Sequence, residues 1–342
     1  MNILLTSAGR RTYLIDYFKN AMQGIGKVYA ANSEYTYSLS HADGYVLTPL
    51  IYDDEYVSFL INYCVEHDIT AIISLFDIDL FVLAENKVRF ERSGIHVIVS
   101  DENAIATCND KWQTYVFLQK NRIDCPKTFN SIDDVRNALN SKEVSFPIIV
   151  KPRWGMGSIG IFVADNEKEL EIFAEKVHKQ IFSSYLKYES KQDVSKCVLF
   201  QEKIIGQEYG LDILNDLNKN YVTAIAKKKI SMRAGETDVA EIVDCSSFVE
   251  LSKSLSLNLH HVANLDVDVF KTEDGRILVL ELNCRFGGQY PFSHLAGVDF
   301  PKQIVEWLLG NQTDFNLLKA KVGIRSCKDL KPVVLNKNIE KG

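Results

Sequence analysis

The sequence LVLELNCR, residues 278–285, places two kinds of side chain on opposite faces of one predicted strand. Because side chains alternate along a strand, the leucines share one face, and Glu281, Asn283 and Arg285 share the other. An acid, an amide and a guanidinium are costly to bury without partners. Carboxylate and amide oxygens suit Mg²⁺, which usually also keeps waters and phosphate oxygens. The pattern indicates a metal site, with a charged sheet face turned to water as the alternative.

A second acidic strand precedes this one. Asp266 and Asp268 alternate with apolar residues and therefore lie on one face. A turn of five to six residues would pair the two strands antiparallel and lay Asp268 beside Glu281. The sequence therefore predicts that acids from both strands meet on one sheet.

A glycine-rich stretch, KPRWGMGSIG at residues 151–160, lies between two predicted strands. It is not a P-loop, because it lacks the G-x-x-x-x-G-K-[ST] spacing and no helix follows it. Three glycines there favour a flap whose backbone N–H groups can close over phosphates. Lys151 would point a positive charge at whatever the flap covers. An ordinary hairpin with glycine in its turn is the alternative.

A shorter glycine turn, SAGRR at residues 7–11, follows the first predicted strand. It has one glycine instead of the G-x-G-x-x-G of dinucleotide sites, so a plain turn from strand to helix is favoured. Open α/β sheets bind ligands at the carboxyl ends of their strands. We therefore expect Arg10 and Arg11 to contact an anionic substrate, together with the backbone at Gly287 and Gly288.

Composition excludes several classes of protein. The 342 residues are 46% hydrophobic and 25% charged, enough for a packed core. A net charge of −6 argues against nucleic-acid binding, and no apolar run is long enough to span a membrane. The first residues are interpreted as a strand and not as a signal peptide. Seven scattered cysteines without CxxC spacing favour reduced thiols in a cytoplasmic protein, with neither a zinc site nor disulfides.

The order of predicted elements indicates mixed α/β and α+β architecture. Strands and helices alternate over the first hundred residues, which predicts a doubly wound parallel sheet. Hairpins and covering helices follow. We predict a Rossmann-like domain over 1–108, a subdomain carrying the flap over 109–200, a subdomain carrying the metal site over 201–330, and a tail over 331–342.

Taken in order, these motifs resemble the ATP-grasp superfamily. The resemblance covers roughly residues 1–310 and is greatest to the carbamoyl phosphate synthetase large-chain branch and the related amino-acid ligases. It implies an ATP-grasp fold behind an N-terminal pre-ATP-grasp domain. The Asn-Pro-Arg common in the family becomes Asn283-Cys284-Arg285 here.

The resemblance also implies roles for individual residues. It assigns Asp268, Glu281 and Asn283 as metal ligands, with Asp268 preferred to Asp266 because it lies 13 residues before Glu281, a comfortable hairpin separation. Arg285 resembles the arginine that steadies the transferred group, acting with Lys151. The residues that it implies for ATP are Lys111, Lys151, Gly155, Gly157, Ser158, Glu202, Lys203, Ile204, Glu208 and, as a weaker match, Arg233.

The implied activity is that of an ATP-dependent ligase. Such an enzyme joins a small-molecule carboxylate to an amine through an acyl phosphate and releases ADP and phosphate, with Mg²⁺ or, in its place, Mn²⁺. Two alternatives stay open at this point. One is a carboxylate or carbamate kinase resembling carbamoyl phosphate synthase, and the other is a nucleotide-binding module without catalysis. A homodimer is also left open.

Overall fold

A five-stranded parallel sheet forms the first third of the chain in the computed structural model, which describes residues 1–155 and 160–335. The sheet order is β3-β2-β1-β4-β5. Its strands are β1 Asn2–Thr6, β2 Val28–Asn32, β3 Gly44–Leu47, β4 Ile69–Ser74 and β5 His96–Val97, and its helices are α1 Thr12–Ala21, α2 Tyr56–Glu66, α3 Asp77–Glu85 and α4 Lys87–Arg92.

Both faces of this parallel sheet are covered. The side chains of Ile3 and Leu5 pack with α1, whereas Leu4 packs on the other side with α2 and α3. All three are fully buried. A strand buried on both faces is typical of a doubly wound sheet, and this confirms the predicted class for the N-terminal part.

The middle of the chain adds a small antiparallel sheet with the order β6-β9-β7-β8. Strands β7 and β8 flank the glycine-rich stretch and pair with each other, as predicted. The elements are α5 Glu102–Asn109, α6 Lys111–Lys120, β6 Thr128–Phe129, α7 Ile132–Asn140, β7 Ile148–Pro152, β8 Phe162–Ala164, α8 Glu167–Phe182, α9 Lys187–Ser190 and β9 Val198–Glu202.

The last third is built on a six-stranded antiparallel sheet with the order β14-β13-β10-β11-β12-β15. Its elements are β10 Gln207–Asn215, β11 Tyr221–Arg233, β12 Glu236–Val243, α10 Val249–Leu259, β13 Asn264–Lys271, β14 Ile277–Asn283, α11 Tyr290–Leu295, α12 Phe300–Leu308 and β15 Arg325–Cys327. The two acidic segments of the sequence are its neighbouring strands β13 and β14.

Arg233 is the last residue of β11, beside the turn of the β11–β12 hairpin. Asp110 caps α6, because its carboxylate accepts hydrogen bonds from the backbone N–H groups of Trp112 and Gln113.

No helix of residues 1–155 and 160–335 combines the length and hydropathy that crossing a membrane would take.

Candidate active site

The register of β13 and β14 sets the acids of the site opposite each other. Asp268 pairs with Glu281, and Asp266 pairs with Asn283. The predicted antiparallel contact is therefore confirmed. Arg285 does not lie on the strand face as expected, because β14 ends at Asn283 and the backbone N–H of Arg285 turns back to donate to the Asn283 carbonyl at 2.8 Å.

Asp266 is held by two donors. Arg285 Nη1 donates to its carboxylate at 3.0 Å, and Gln289 Nε2 donates at 2.6 Å. Gly287 makes this arrangement sterically possible, because a Cβ there would come within 2.1 Å of the Asp266 carboxyl carbon. Asp266 is thus already engaged by a cation and an amide.

Asp268 lies in a different environment. Lys229 Nζ contacts its carboxylate at 2.7 Å, and Gln289 Nε2 donates to it at 3.0 Å. Burial, together with the charges of Asp266 and Glu281, raises the pKa of Asp268 to about 6, although Lys229 opposes the shift. Lys229 Nζ also donates to Glu208 at 2.5 Å, so this lysine joins a predicted metal ligand to a residue that the resemblance implies for ATP.

Glu281 faces two lysines. Its carboxylate lies 3.4 Å from Lys111 Nζ, which also donates to the carbonyl of Gly155 at the start of the flap. Burial by itself would raise the pKa of Glu281, but the positive charges of Lys111, Lys151 and Arg285 outweigh it and hold that pKa below its usual value. Glu281 is therefore ionised at neutral pH.

Lys151 is buried at the end of β7. Its side chain donates to Gln201 Oε1 at 2.7 Å, and only 5% of the residue is exposed. Burial, together with the neighbouring charge of Lys111, lowers the pKa of Lys151 to about 8, although Glu281 opposes this. A buried ammonium with one hydrogen-bond partner is suited to an incoming anion.

The first residues of α6 dock on the root of the flap. Asp110 accepts from Arg153 Nε at 2.8 Å and from Nη2 at 2.7 Å, and Asp193 adds a third contact to the guanidinium at 3.3 Å. The backbone N–H of Lys111 donates to the Arg153 carbonyl at 3.2 Å. This bidentate pair fixes the position of Lys111 relative to the flap.

Arg285 connects the site to the N-terminal sheet. Its Nη2 and Nε lie 3.0 and 3.3 Å from Asp77 Oδ2, at the start of α3, while Nη1 contacts Asp266. Burial disfavours the charge of Arg285, but Asp77 and Asp266 outweigh it and raise its pKa. Sequence reasoning missed Asp77, because it lies 208 residues from its partner.

A cleft opens between these elements. It encloses about 410 Å³, including the part open to solvent, and its walls come from α3, the start of α6, the root of the flap, α9 and β14. The polar side chains that line it are Asp77, Asn109, Lys111, Glu189, Glu281 and Asn283. Four predicted site residues, Lys111, Gly155, Glu281 and Asn283, therefore share one cavity.

Three of the residues that the resemblance implies for ATP lie at the end of β9, since Glu202 is its last residue and Lys203 and Ile204 follow it. Glu202 exchanges backbone and side-chain hydrogen bonds with Lys127, at 2.9 and 3.1 Å. Lys203 is exposed and Ile204 is half-buried. Their role toward a nucleotide stays a prediction.

Of the predicted substrate residues, Arg10 and Arg11 lie in the first glycine turn. Arg11 Nη1 donates to the Leu75 carbonyl, and burial together with the nearby charge of Arg285 lowers the pKa of Arg11. Arg10 is exposed. A Cβ on Gly288 would lie 3.5 Å from Lys328 Nζ, which pairs with Glu236 at 2.9 Å.

The described structure places Arg233 away from the two lysines. Arg233 is half-exposed and pairs with Asp238 at 2.5 Å, and none of its contacts within 1–155 and 160–335 reaches Lys111, Lys151 or Glu281. Gly157 and Ser158 lie outside the described residues.

The donor set fits Mg²⁺ in its chemistry. Asp268, Glu281 and Asn283 can each offer a side-chain oxygen as a ligand, and the nearby amide oxygen of Gln289 is buried without a hydrogen bond in the described part of the chain. No group of three or more His, Cys, Asp and Glu side chains within that part is spaced to hold a metal. Water and phosphate oxygens would thus complete the shell.

A family model described as an ATP-grasp domain matches residues 108–289, more than half of the chain. The chain belongs to the ATP-grasp family. A second family model, the PylC-like N-terminal domain, matches residues 3–98. The carbamoyl phosphate synthase large chain of Rhodopirellula baltica is 24% identical to this ATP-grasp chain in an alignment of 209 residues, which covers 57% of this chain and 18% of that one. The predicted ATP-grasp family is thereby confirmed, and the predicted resemblance to the carbamoyl phosphate synthetase large chain is found in this relative.

Solved structures agree on the fold. The biotin carboxylase of Campylobacter jejuni superposes with a TM-score of 0.71 at 16% identity, covering 93% of this chain and 73% of that one. The L-amino acid ligase of Bacillus licheniformis gives 0.66 at 19% identity, with 92% and 75% covered. The N5-carboxyaminoimidazole ribonucleotide synthetase of Thermotoga maritima gives 0.66 at 18%, with 93% and 78% covered. The predicted ATP-grasp fold is therefore confirmed.

Proposed function

We propose that this ATP-grasp protein is an ATP-dependent, ADP-forming ligase that joins a carboxylate to an amine. One observation carries the proposal: Lys111 and Glu281 meet at the root of the flap, Lys151 lies close enough for its charge to act on both, and the cleft opens beside them. Two lysines beside an ionised acid match the needs of a triphosphate and its metal ion. The relatives support the class, since one is named an L-amino acid ligase.

The reaction divides into two steps. An oxygen of the substrate carboxylate attacks the γ-phosphorus of ATP, the bond to the bridging oxygen of the β-phosphate breaks, and ADP leaves. The nitrogen of a neutral amine then attacks the carbonyl carbon, the carbon–oxygen bond to phosphate breaks, and the nitrogen gives up a proton. Phosphoryl transfer of this kind depends mainly on positioning and on neutralising charge.

The chain's own residues can meet those requirements. Lys111 and Lys151 place positive charge at the flap, where the phosphates would bind. Asp268, Glu281 and Asn283 would hold Mg²⁺, which supplies further positive charge to the phosphate oxygens when it is bound. The glycine-rich flap can shield an acyl phosphate from water.

Bicarbonate is the second candidate for the acid. It is favoured by a solved relative, the biotin carboxylase domain of a Hydrogenobacter thermophilus enzyme, whose structure contains MgADP and bicarbonate. A bicarbonate-dependent enzyme would make ADP without any organic acid. Comparing bicarbonate with a panel of organic acids therefore distinguishes the two candidates.

Glu281→Gln tests the site directly. We expect ADP formation to fall by roughly 100-fold, because the neutral amide no longer offers the metal ion a charge, a loss in the range seen for other groups that stabilise developing charge. ADP formation would be measured with MgATP over a panel of amino acids, other organic acids and bicarbonate.

Glu273→Gln is the matched control, because Glu273 is exposed in the turn between β13 and β14. The rate of ADP formation by Glu273→Gln should equal that of the unaltered protein. The thermal unfolding temperatures of both variants should stay close to that of the unaltered protein. Near-normal turnover in Glu281→Gln would refute the site assignment. Nucleotide binding without ADP formation from any acid would instead indicate a non-catalytic module.

A further inference from the structure

Two acids from separate parts of the chain form part of the cleft wall. Asp77 comes from the N-terminal end of α3, and Glu189 comes from α9, which follows the long helix α8. Burial raises the pKa of Glu189, and the negative charge of Asp77 adds to that shift. Both acids also add to the raised pKa of Tyr185, which lines the same cleft and whose main cause of shift is burial. The two carboxylates therefore face one cavity.

One carboxylate oxygen on this wall has no partner. Asp77 is 6% exposed; its Oδ2 accepts from Arg285, but its Oδ1 is buried and receives no hydrogen bond from any of residues 1–155 and 160–335. Buried carboxylate oxygens are ordinarily hydrogen-bonded. This oxygen belongs to a side chain that lines the cleft, and it is available to a donor bound there.

The cations already present are committed elsewhere. Arg285 is shared between Asp77 and Asp266, so a single guanidinium compensates two acids. Lys111 faces Glu281. Among the described residues Glu189 pairs with no cation, and its carboxylate accepts from the neutral hydroxyl of Tyr52 at 3.3 Å. The wall formed by Asp77 and Glu189 therefore retains negative charge that no described cation matches.

We propose that the cleft binds an amino-bearing carboxylic acid, with its ammonium group held between Asp77 and Glu189 and its carboxylate directed toward Lys111. The inference rests on the proposed function and specifies its acid substrate. An ammonium has three N–H donors and can satisfy Asp77 Oδ1 and Glu189 together. The apolar side chains of Ile78, Trp154 and Leu186 would line the space between the two charged ends.

This arrangement also separates the two amines of the reaction. An ammonium held by two carboxylates has no free electron pair and cannot attack the activated carbonyl. The attacking amine must therefore be a second molecule. The substrate's own amino group acts only in recognition.

The test uses acids of the same carbon skeleton that differ only in their amino groups. Hexanoate has none, norleucine has one at the α-carbon, 6-aminohexanoate has one at the far end, and lysine has both; propionate, alanine and β-alanine repeat the comparison in a shorter chain. Each is offered with MgATP and hydroxylamine, a neutral amine that converts acyl phosphates to hydroxamates. Hydroxamate and ADP are both measured, to give kcat/KM for each acid.

We expect at least one amino acid of a series to exceed its amine-free counterpart by roughly 10- to 100-fold in kcat/KM, which is what one charge-assisted hydrogen bond contributes. In Glu189→Gln the ratio of the two kcat/KM values should fall to within about threefold of unity, because most of the contribution of that hydrogen bond is lost. The amide keeps an oxygen that can still accept from Tyr52. Glu175→Gln, an exposed glutamate on α8 paired with Lys179, makes the same change in net charge and should keep the full preference.

A binding measurement keeps the two proposals separable. Calorimetric titration of the same acids, with Mg²⁺ and a non-hydrolysable ATP analogue present, reports recognition without turnover. Preferential binding of amino acids that Glu189→Gln abolishes, without any hydroxamate, supports the ammonium site and contradicts the ligase. Equal kcat/KM for hexanoate and its amino derivatives overturns the ammonium site and leaves the ligase standing. Absence of both binding and hydroxamate overturns both.

Discussion

At the scale of single residues, Lys151 combines burial with a nearby like charge. Both lower its pKa to about 8, whereas an unperturbed lysine has a pKa near 10.4. The free protein therefore loses this proton as the pH rises through about 8. Bound phosphates would hold the proton on the lysine, because they favour the charged form.

The consequence is a pH-dependent affinity for nucleotide. We expect the affinity for MgADP, measured by calorimetry, to be flat in pH up to about 7.5 and to fall by up to about tenfold per pH unit above about 8, because binding then requires uptake of a proton. Lys151→Met should bind more weakly and show no such fall. Lys253→Met, at an exposed lysine, should retain it, and a fall that persists in Lys151→Met would contradict the assignment.

The two adjacent glycines after Arg285 differ in the space available to them. In Gly287→Ala the new methyl group would overlap the Asp266 carboxylate, whereas in Gly288→Ala the nearest atom is 3.5 Å away. We expect Gly287→Ala to lose about 1–3 kcal/mol of unfolding free energy, as overpacked sites do, and to lose activity because Asp266 and Arg285 move. Gly288→Ala should stay within about 0.5 kcal/mol. Urea denaturation of both would show whether the difference exists.

The sequence predicted one half of the site and missed the other. The pairing of Asp268 with Glu281 follows from alternation along two neighbouring strands, a local rule. Asp77, Lys229 and Gln289 come from segments that only the tertiary fold brings to these acids, and nothing in their local sequence marks them. The same holds for Glu189, a surface-like residue on a short helix.

At the scale of elements, one side chain at the start of α6, that of Asp110, has two functions. Asp110 caps the helix and also pairs with the buried Arg153 at the root of the flap. Asp110→Ala should lose about 3 kcal/mol of unfolding free energy, since it leaves a buried guanidinium with only Asp193. Ser131→Ala removes only the cap of α7 and should lose about 1 kcal/mol.

Urea denaturation measures the loss of unfolding free energy in both variants. Titration with MgATP measures their nucleotide affinity, which reports on the flap. Nucleotide affinity should fall in Asp110→Ala, because Lys111 is the next residue, and it should be unchanged in Ser131→Ala. Equal stability losses in the two variants would show that the pair with Arg153 contributes little.

Strand β12 was not predicted from the sequence. It follows β11 through a two-residue turn, Ala234-Gly235, in which both residues have positive φ, 49° and 79°. Turns of this geometry usually carry Asn-Gly or Asp-Gly, which are the sequence signals for a hairpin. Alanine is sterically disfavoured in that conformation, so the sequence Ala234-Gly235 does not predict the turn.

At the scale of the whole molecule, His261 lies at a junction between parts of the chain. It is fully buried, and its pKa is lowered to about 3 by burial, although its hydrogen bond to Ile213 opposes the shift. The backbone N–H of the next residue, Val262, donates to Ser100 Oγ at 2.9 Å, which ties the segment after the parallel sheet to the six-stranded sheet. A charge on His261 would therefore be unfavourable where the two parts meet.

The unfolded chain binds a proton at His261 below about pH 6.5 and the folded chain does not, so folding is disfavoured as the pH falls below that value. Between pH 6.5 and 5, we expect this histidine to account for a loss of at most about 1.4 kcal/mol of unfolding free energy per pH unit. His261→Gln keeps a donor for Ile213 and should remove that part of the slope. Denaturant titrations at several pH values give both slopes, and identical slopes would contradict the prediction.

The amide of Gln289 joins Asp266 to Asp268, and its side chain passes directly over Gly210, where a Cβ would come within 1.5 Å of Oε1. Positions 210 and 289 are therefore not free to diverge independently during evolution. A lineage that acquires a side chain at 210 must shorten residue 289 and lose the bridge between the two acids. Aligned descendants of a common ancestor should consequently show these two positions changing together, and the pair should appear as a covarying unit in any sufficiently deep comparison.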